Sequence, residues 1–220
     1  MNLTFRACSE EYKEIHHIIS GIGAKQSGGR WNLKGTPAVY TALSPETAVH
    51  EKVYYMLYQK KHFSNNHLGS LAEECLSYYE VEIKVANKMD VTDLTNISNI
   101  NLLAKESGLE PIENIIETQM NSPGFNNRFT AKIGSKLLKD GQDAFKVKSA
   151  RHNNGECIII NPIFLKTADI EIVEEKQVFL YFDDGKGKPI LGKGNPVIKN
   201  IFHSSYDNVN FKKISLTLNN

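Results

Sequence analysis

No apolar run in the chain approaches the roughly 20 residues of a transmembrane helix, so no membrane span is expected. The opening MNLTFRACSEEYKE has no apolar signal core, so no Sec-type export signal is expected either. Cysteine is scarce. Cys8, Cys75 and Cys157 are odd in number and widely spaced, which suits reduced thiols in a cytosol better than a disulfide framework. No CxxC or HExxH pattern occurs, so neither a structural nor a catalytic zinc is expected. The histidines are scattered, and His50, beside Glu51, reads as structural. Charge bias is missing: 26 basic and 25 acidic side chains leave a net charge of +1. That argues against a dedicated nucleic-acid binder. Internal repeats are absent. What remains is a chain of 220 residues, 40% hydrophobic and 23% charged, which reads as a soluble globule. A domain of this size buries roughly 70% of its unfolded surface.

Period-2 alternation predicts a strand at Leu3–Ala7, with Arg6 and Thr4 on the face opposite Phe5. A helix follows from Glu10 to Ile19 and ends at Gly21 and Gly23. Ala38–Ala42 reads as a buried strand. Ser44 and Pro45 are N-cap and first-turn residues of a helix whose apolar stripe is Val49, Val53, Met56 and Leu57. Glu51 lies off that stripe, on the face of Thr47, Tyr54 and Tyr58. Lys60–Ser70 is a polar connection. Leu76–Val85 contains the clearest strand, in which Tyr79, Val81, Ile83 and Val85 alternate with Glu80, Glu82 and Lys84, and Asp90–Leu94 would extend or pair with it. Helices are predicted at Leu102–Leu109, Pro111–Met120 and Arg128–Leu138, with Gly141 closing the last. Strands follow at Asp143–Val147, which delivers Ser149, at Glu156–Ile160, stopped by Asn161-Pro162, and over Ile170–Phe182. Residues 183–200 are rich in Gly, Lys and Pro and read as a loop or arm. The segment Ile201–Leu218 would add one strand. The domain division is 1–182 for a catalytic domain and 183–220 for an extension packed on or extending from it.

One stretch concentrates chemistry. GGRWNLKGTPAVYTALSPETAVHE, from Gly28 to Glu51, places a fixed cation, an indole, a phenol and a carboxylate close together. Cleavage of a nicotinamide–ribose bond would use such a set. Arginines hold a pyrophosphate through their planar fork, and Arg6 and Arg30 qualify. Tyr40 or Trp31 would wall the nicotinamide ring. Glu51 would stabilise developing positive charge on the ribose, and Ser149 would hydrogen-bond the ribose or the carboxamide. Each residue also has a structural reading: Arg30 or Arg6 as an ion-pair partner, Tyr40 and Trp31 as packing, Asn161 as a strand end.

GGRWNLKGTPAVYTA, SPETAVHE and GQDAFKVKSARHNNGECIIINP together resemble the RES-domain family, over Thr4 to about Pro162. The resemblance implies a toxin of a bacterial toxin–antitoxin module, paired with an Xre-like antitoxin. It implies an α+β fold like that of diphtheria-toxin-type ADP-ribosyltransferases, a split β-sheet core flanked by helices. It implies NAD as substrate, with no metal. The reaction would be glycohydrolysis or phosphorolysis, or alternatively mono-ADP-ribosylation of a target protein. The protein would act in the cytoplasm, or in that of a recipient cell if delivered. By the motif, Glu51, Arg30 and Tyr40 are catalytic, and Arg6, Arg30, Tyr40, Ser149, Asn161, Gly29 and Trp31 bind NAD. Lys148 stands where the family's VPSA segment has proline.

Overall fold

A computed structural model of the chain describes residues 2–8, 12, 14–48, 50–52, 76–85, 89–115, 118, 128–165, 170–182, 198–205 and 208–214. For the strands at 76–85, 170–182, 198–205 and 208–214 the description is of the backbone. The fold is mixed α+β. Its strands are β1 (Asn2–Cys8), β2 (Val39–Ala42), β3 (Leu76–Val85), β4 (Val91–Asp93), β5 (Ala144–Lys148), β6 (Glu156–Ile160), β7 (Ile170–Phe182), β8 (Ile198–Ser205) and β9 (Asn208–Ile214). They form one sheet in the order β4-β5-β6-β2-β1-β3-β7-β8-β9. Strands expected at Thr4, Val39, Val81, Phe145 and Ile159 are all in it.

The middle of the sheet positions the site. Along β1 every residue from Asn2 to Cys8 pairs with β3, but β1 meets β2 only through Phe5 and Ala42. Arg6 lies next to this junction, and its Nη1 donates across it to the Tyr40 carbonyl at 3.4 Å.

Apolar residues cover both faces of the inner half. On β5 and β6, Phe145, Val147, Cys157 and Ile159 join a cluster with Trp31, Ile133 and Leu138. Ala144, Ile158 and Ile160 join a second one with Ile18, Val39 and Leu165. A strand covered on both sides reads as an unbroken apolar run, as Cys157–Ile160 does. Each large side chain fully buried here contributes roughly 1.5–3 kcal/mol.

The helices are α1 (Ile15–Ser20), α2 (Ile22–Ser27), α3 (Ile97–Glu106) and α4 (Phe129–Lys139). Residues 45–48 and 50–52 are also helical. They begin as expected at Pro45, with Ser44 Oγ accepting from the Thr47 N–H at 3.1 Å. Among the described residues no helix is long and apolar enough to cross a membrane.

Four expectations are corrected. The first helix begins at Ile15, with Glu14 as its N-cap. It ends at Gly21, whose φ of 61° is the left-handed C-cap geometry. Gly23 does not end it but sits inside α2. Strand β4 pairs in parallel with β5, not with β3. Helix α3 begins at Ile97 rather than Leu102, because Asn96 caps it by accepting from the Ser98 N–H at 2.9 Å. Beyond residue 197 the chain adds two strands rather than one, with β8 on β7 and β9 on β8. The expected stripe of Val49, Val53, Met56 and Leu57, the tyrosines Tyr54 and Tyr58 and the Lys60–Ser70 connection lie outside the described residues. So do residues 116, 117, 119 and 120 of the helix expected over Pro111–Met120, of which residues 115 and 118 are helical and 111–114 are not.

Candidate active site

The Gly28–Thr36 loop is built around the side chain of Asn32, which is fully buried. Its Nδ2 donates to the carbonyls of Ala24 and Thr36, both at 2.8 Å, and to that of Leu33 at 3.2 Å. Its Oδ1 accepts from the Tyr40 hydroxyl at 2.7 Å. The same hydroxyl accepts from the Trp31 N–H at 3.0 Å. Residue 29 must be glycine for this packing: a Cβ there would sit 2.5 Å from Tyr40 Oη and 2.7 Å from Asn32 Oδ1. Helix α4 clamps the loop from the other side. Thr130 Oγ1 donates to the Arg30 carbonyl at 2.6 Å, and Ser135 Oγ accepts from the Leu33 N–H at 2.7 Å.

This frame aims Arg30 at Glu51, and the two form an ion pair through Nη2 and Oε2. The other carboxylate oxygen is held as well. Ser149 Oγ donates to Glu51 Oε1 at 2.6 Å, and the Ala150 N–H donates to it at 3.2 Å. Ser149 is fixed in turn, because its Oγ accepts from the N–H groups of Arg151 and His152 at 3.1 and 2.9 Å. Arginine, glutamate and serine, far apart in the chain, thus meet, as the motif leads one to expect, and they meet at one carboxylate. Both Arg30 and Glu51 are about four-fifths buried, with side chains 20% and 18% exposed. Charge-assisted bonds are strongest in such surroundings.

The site is strongly cationic. Burial pushes Arg30 down to about 10, and the charges of Arg151 and Arg128 act in the same direction. Burial also lowers Arg6. The Tyr40 phenol is held well above its ordinary value, again by burial, which outweighs its hydrogen bond from Trp31 and the charges of Arg30 and Arg128. Crowded guanidinium groups disfavour one another's charge, so an anionic ligand would relieve the repulsion.

Three candidates take structural places. The Trp31 ring is 1% exposed and packs on Phe145 with centroids 5.8 Å apart, so it belongs to the core and is no wall for a ligand. Asn161 is buried and internally satisfied. Its Nδ2 donates to the carbonyls of Leu138 and Gln142 at 2.8 and 3.2 Å, and its Oδ1 accepts from the Ile163 N–H at 3.4 Å. It locks the end of β6 to the end of α4 and has no donor to spare for a dinucleotide. Gly29 makes its close approach to Tyr40 and Asn32. Tyr40 keeps its place beside Arg6, with its hydroxyl bonded within the loop to Asn32 and Trp31. The sequence reading missed Arg128 and Arg151. Arg151 lies two residues past Ser149, inside the segment SARHN, and that adjacency is the signal that could have found it.

Ser149→Ala is expected to lower stability by about 1–3 kcal/mol, because it strands one acceptor and two N–H donors in a half-buried loop. It should cut activity less than loss of the carboxylate does. Urea denaturation alongside turnover checks both.

A family model described as the RES domain matches residues 3–182. Among solved structures, the chain is similar to one described as the crystal structure of the M. tuberculosis MbcT-MbcA toxin-antitoxin complex. That likeness, at 17% identity over 80% of this chain and 83% of that one, with a TM-score of 0.56, is one of fold. A search of curated proteins finds no match.

Proposed function

The chain belongs to the RES-domain family, and from that premise we propose that it cleaves the nicotinamide–ribose bond of NAD as the toxin of a toxin–antitoxin pair. The observation that carries the reading is the Glu51 carboxylate, fixed at one oxygen by Arg30 and at the other by Ser149 and Ala150. Nicotinamide leaves with the electrons of its bond to C1′ and becomes neutral, so the positive charge passes to the ribose. A carboxylate already oriented toward that charge needs no reorganisation as the charge develops. Water, or another nucleophile, then adds to C1′ and loses its proton.

Arg30 is engaged with Glu51, so its first role is to hold the carboxylate. The pyrophosphate then falls to Arg6, Arg128 and Arg151, whose forks suit phosphate oxygens. In this reading Arg6, Arg128 and Arg151 bind NAD through the pyrophosphate, Tyr40 frames the site, and Arg30 and Ser149 act through Glu51. An antitoxin protein of the Xre-like kind would cover the cleft. The test is incubation of purified protein with NAD, with and without phosphate and cell lysate. Free nicotinamide with no labelled protein supports NAD degradation, and dependence on phosphate marks phosphorolysis. Labelled protein bands would mark ADP-ribosyl transfer instead. No nicotinamide in any arm overturns the reading.

A further inference from the structure

Glu46 and His50 lie one helical turn apart on the segment that carries Glu51, so they share a face. His152 approaches that face from the loop after Ser149. One ligand atom from each of the three lies within 4.8 Å of the other two. The two imidazole rings stack with centroids 4.6 Å apart and planes within 10°.

The hydrogen bonds give each ring an outer partner. His50 is 2% exposed, and its ring is hydrogen-bonded by the backbone of Arg151. Its Nδ1 is buried with no partner, so the bonded nitrogen is Nε2 and the Nδ1 lone pair is unused. For His152 the roles reverse. Its Nδ1 meets Thr47 Oγ1 at 2.8 Å, and that hydroxyl is 2.8 Å from Ser44 Oγ. An ion on Nε2, which lies 3.7 Å from Glu46 Oε1, requires Nδ1 to donate along this chain. Each imidazole thus keeps one nitrogen on an outer partner, and the other faces the group: Nδ1 of His50 is unpartnered and Nε2 of His152 faces Glu46. Histidines that bind metals are oriented in this way. A buried, unpartnered ring nitrogen calls for an explanation, and an ion supplies one.

We propose that Glu46, His50 and His152 form a binding site for a divalent transition-metal ion of the zinc class, clamped between the Glu51 helix and the Ser149 loop. Two imidazoles and one carboxylate suit zinc, cobalt or nickel rather than calcium or magnesium. Bonds of about 2.0–2.2 Å require the ligand atoms to draw in by about 1 Å. An ion lies near the plane of each imidazole that binds it, so the His152 ring must also turn out of its stack with His50. The half-exposed Glu46 side chain and the loop-borne His152 allow both movements. The ion would secure the catalytic carboxylate indirectly: the His152 N–H holds Ser149 Oγ, and Ser149 Oγ holds Glu51. The three are therefore positioning residues, and the site stands whether or not NAD is the substrate.

The full chain, stripped with a chelator, is titrated with Zn²⁺ by calorimetry and with Co²⁺ by visible absorption. One ion per chain is expected, with Co²⁺ bands in the visible and a melting temperature raised by several degrees at excess metal. Glu46→Gln, at a half-exposed position, should weaken binding at least about tenfold and His152→Gln should abolish it, each with an unchanged circular dichroism spectrum. Glu51→Gln should bind the ion as the parent does. Absence of saturable binding, equal binding by parent and Glu46→Gln, or loss of binding in Glu51→Gln overturns the proposal.

Discussion

Glu51→Gln lowers the rate of nicotinamide release by about 10²–10³-fold, the effect of removing one well-placed electrostatic group from a preorganised site. The substitution is close to isosteric, so the amide oxygen can still accept from Ser149 and Ala150. What disappears is the negative charge, and an NH₂ group now faces the donors of Arg30. The structural cost is on the order of 1–2 kcal/mol. It falls between the small worth of an exposed pair and the larger loss when a buried charge is stranded, because water still reaches both side chains. At this chain length that lowers Tm by a few degrees, so the variant is folded at 25 °C and the rate can be read cleanly. Glu51→Asp is the companion experiment. It keeps the charge but withdraws it by one methylene, and misplacement by about 1 Å can itself cost 10²-fold. Parent-like turnover in Glu51→Gln would remove the carboxylate from the mechanism.

Local patterns in the chain were legible because local physics fixes them. From Tyr79 to Val85 apolar and charged residues alternate, and that pattern lies within β3 (Leu76–Val85). Ser44 and Pro45 start their helix because a hydroxyl cap and a preset φ act within one turn. That Arg30, Glu51 and Ser149 meet could be expected from a motif spanning the whole site. That Arg30 and Ser149 bond to Glu51 itself could not, since the sequence points Arg30 to the pyrophosphate and Ser149 to the ribose or carboxamide. Tertiary choices were not legible. Three residues of β4 carry too little pattern to name a partner, and a parallel neighbour reached through α3 and α4 leaves no local trace. The start of α3 was not legible either, because only the bond from the Ser98 N–H to Asn96 Oδ1 marks Asn96 as its cap. Trp31 and Phe145 are 114 positions apart, so the indole's place in the core could not be read beside its arginine. Arg128, Arg151 and the grouping of His152 with Glu46 and His50 depend on where two loops come to rest, and spacing along the chain does not encode that.

The cationic site has one more dependency, and it gives the largest stability effect expected here. Gly134→Ala destabilises the fold by about 2–3 kcal/mol, the upper part of the range for overpacking. In an ordinary exposed helix the same change would gain roughly 0.5–1 kcal/mol. The sign reverses because α4 lies directly against the 28–36 loop. A Cβ on Gly134 would overlap the carbonyl oxygen of Trp31 and stand 3.0 Å from Phe145 Cζ. Backbone cannot turn aside as a side chain can, so the helix must move off the loop. As it moves it draws Thr130 from the Arg30 carbonyl and Ser135 from the Leu33 N–H, the bonds that hold the arginine against Glu51. Activity should therefore fall even where the variant is still folded. Gly23→Ala in α2 separates this steric cost from any general effect of alanine, since a Cβ there meets nothing within 4 Å. It should be neutral or slightly stabilising. Urea denaturation of the two variants beside the parent reads the difference, and a Gly134→Ala protein as stable as the parent would show that α4 does not seat the loop.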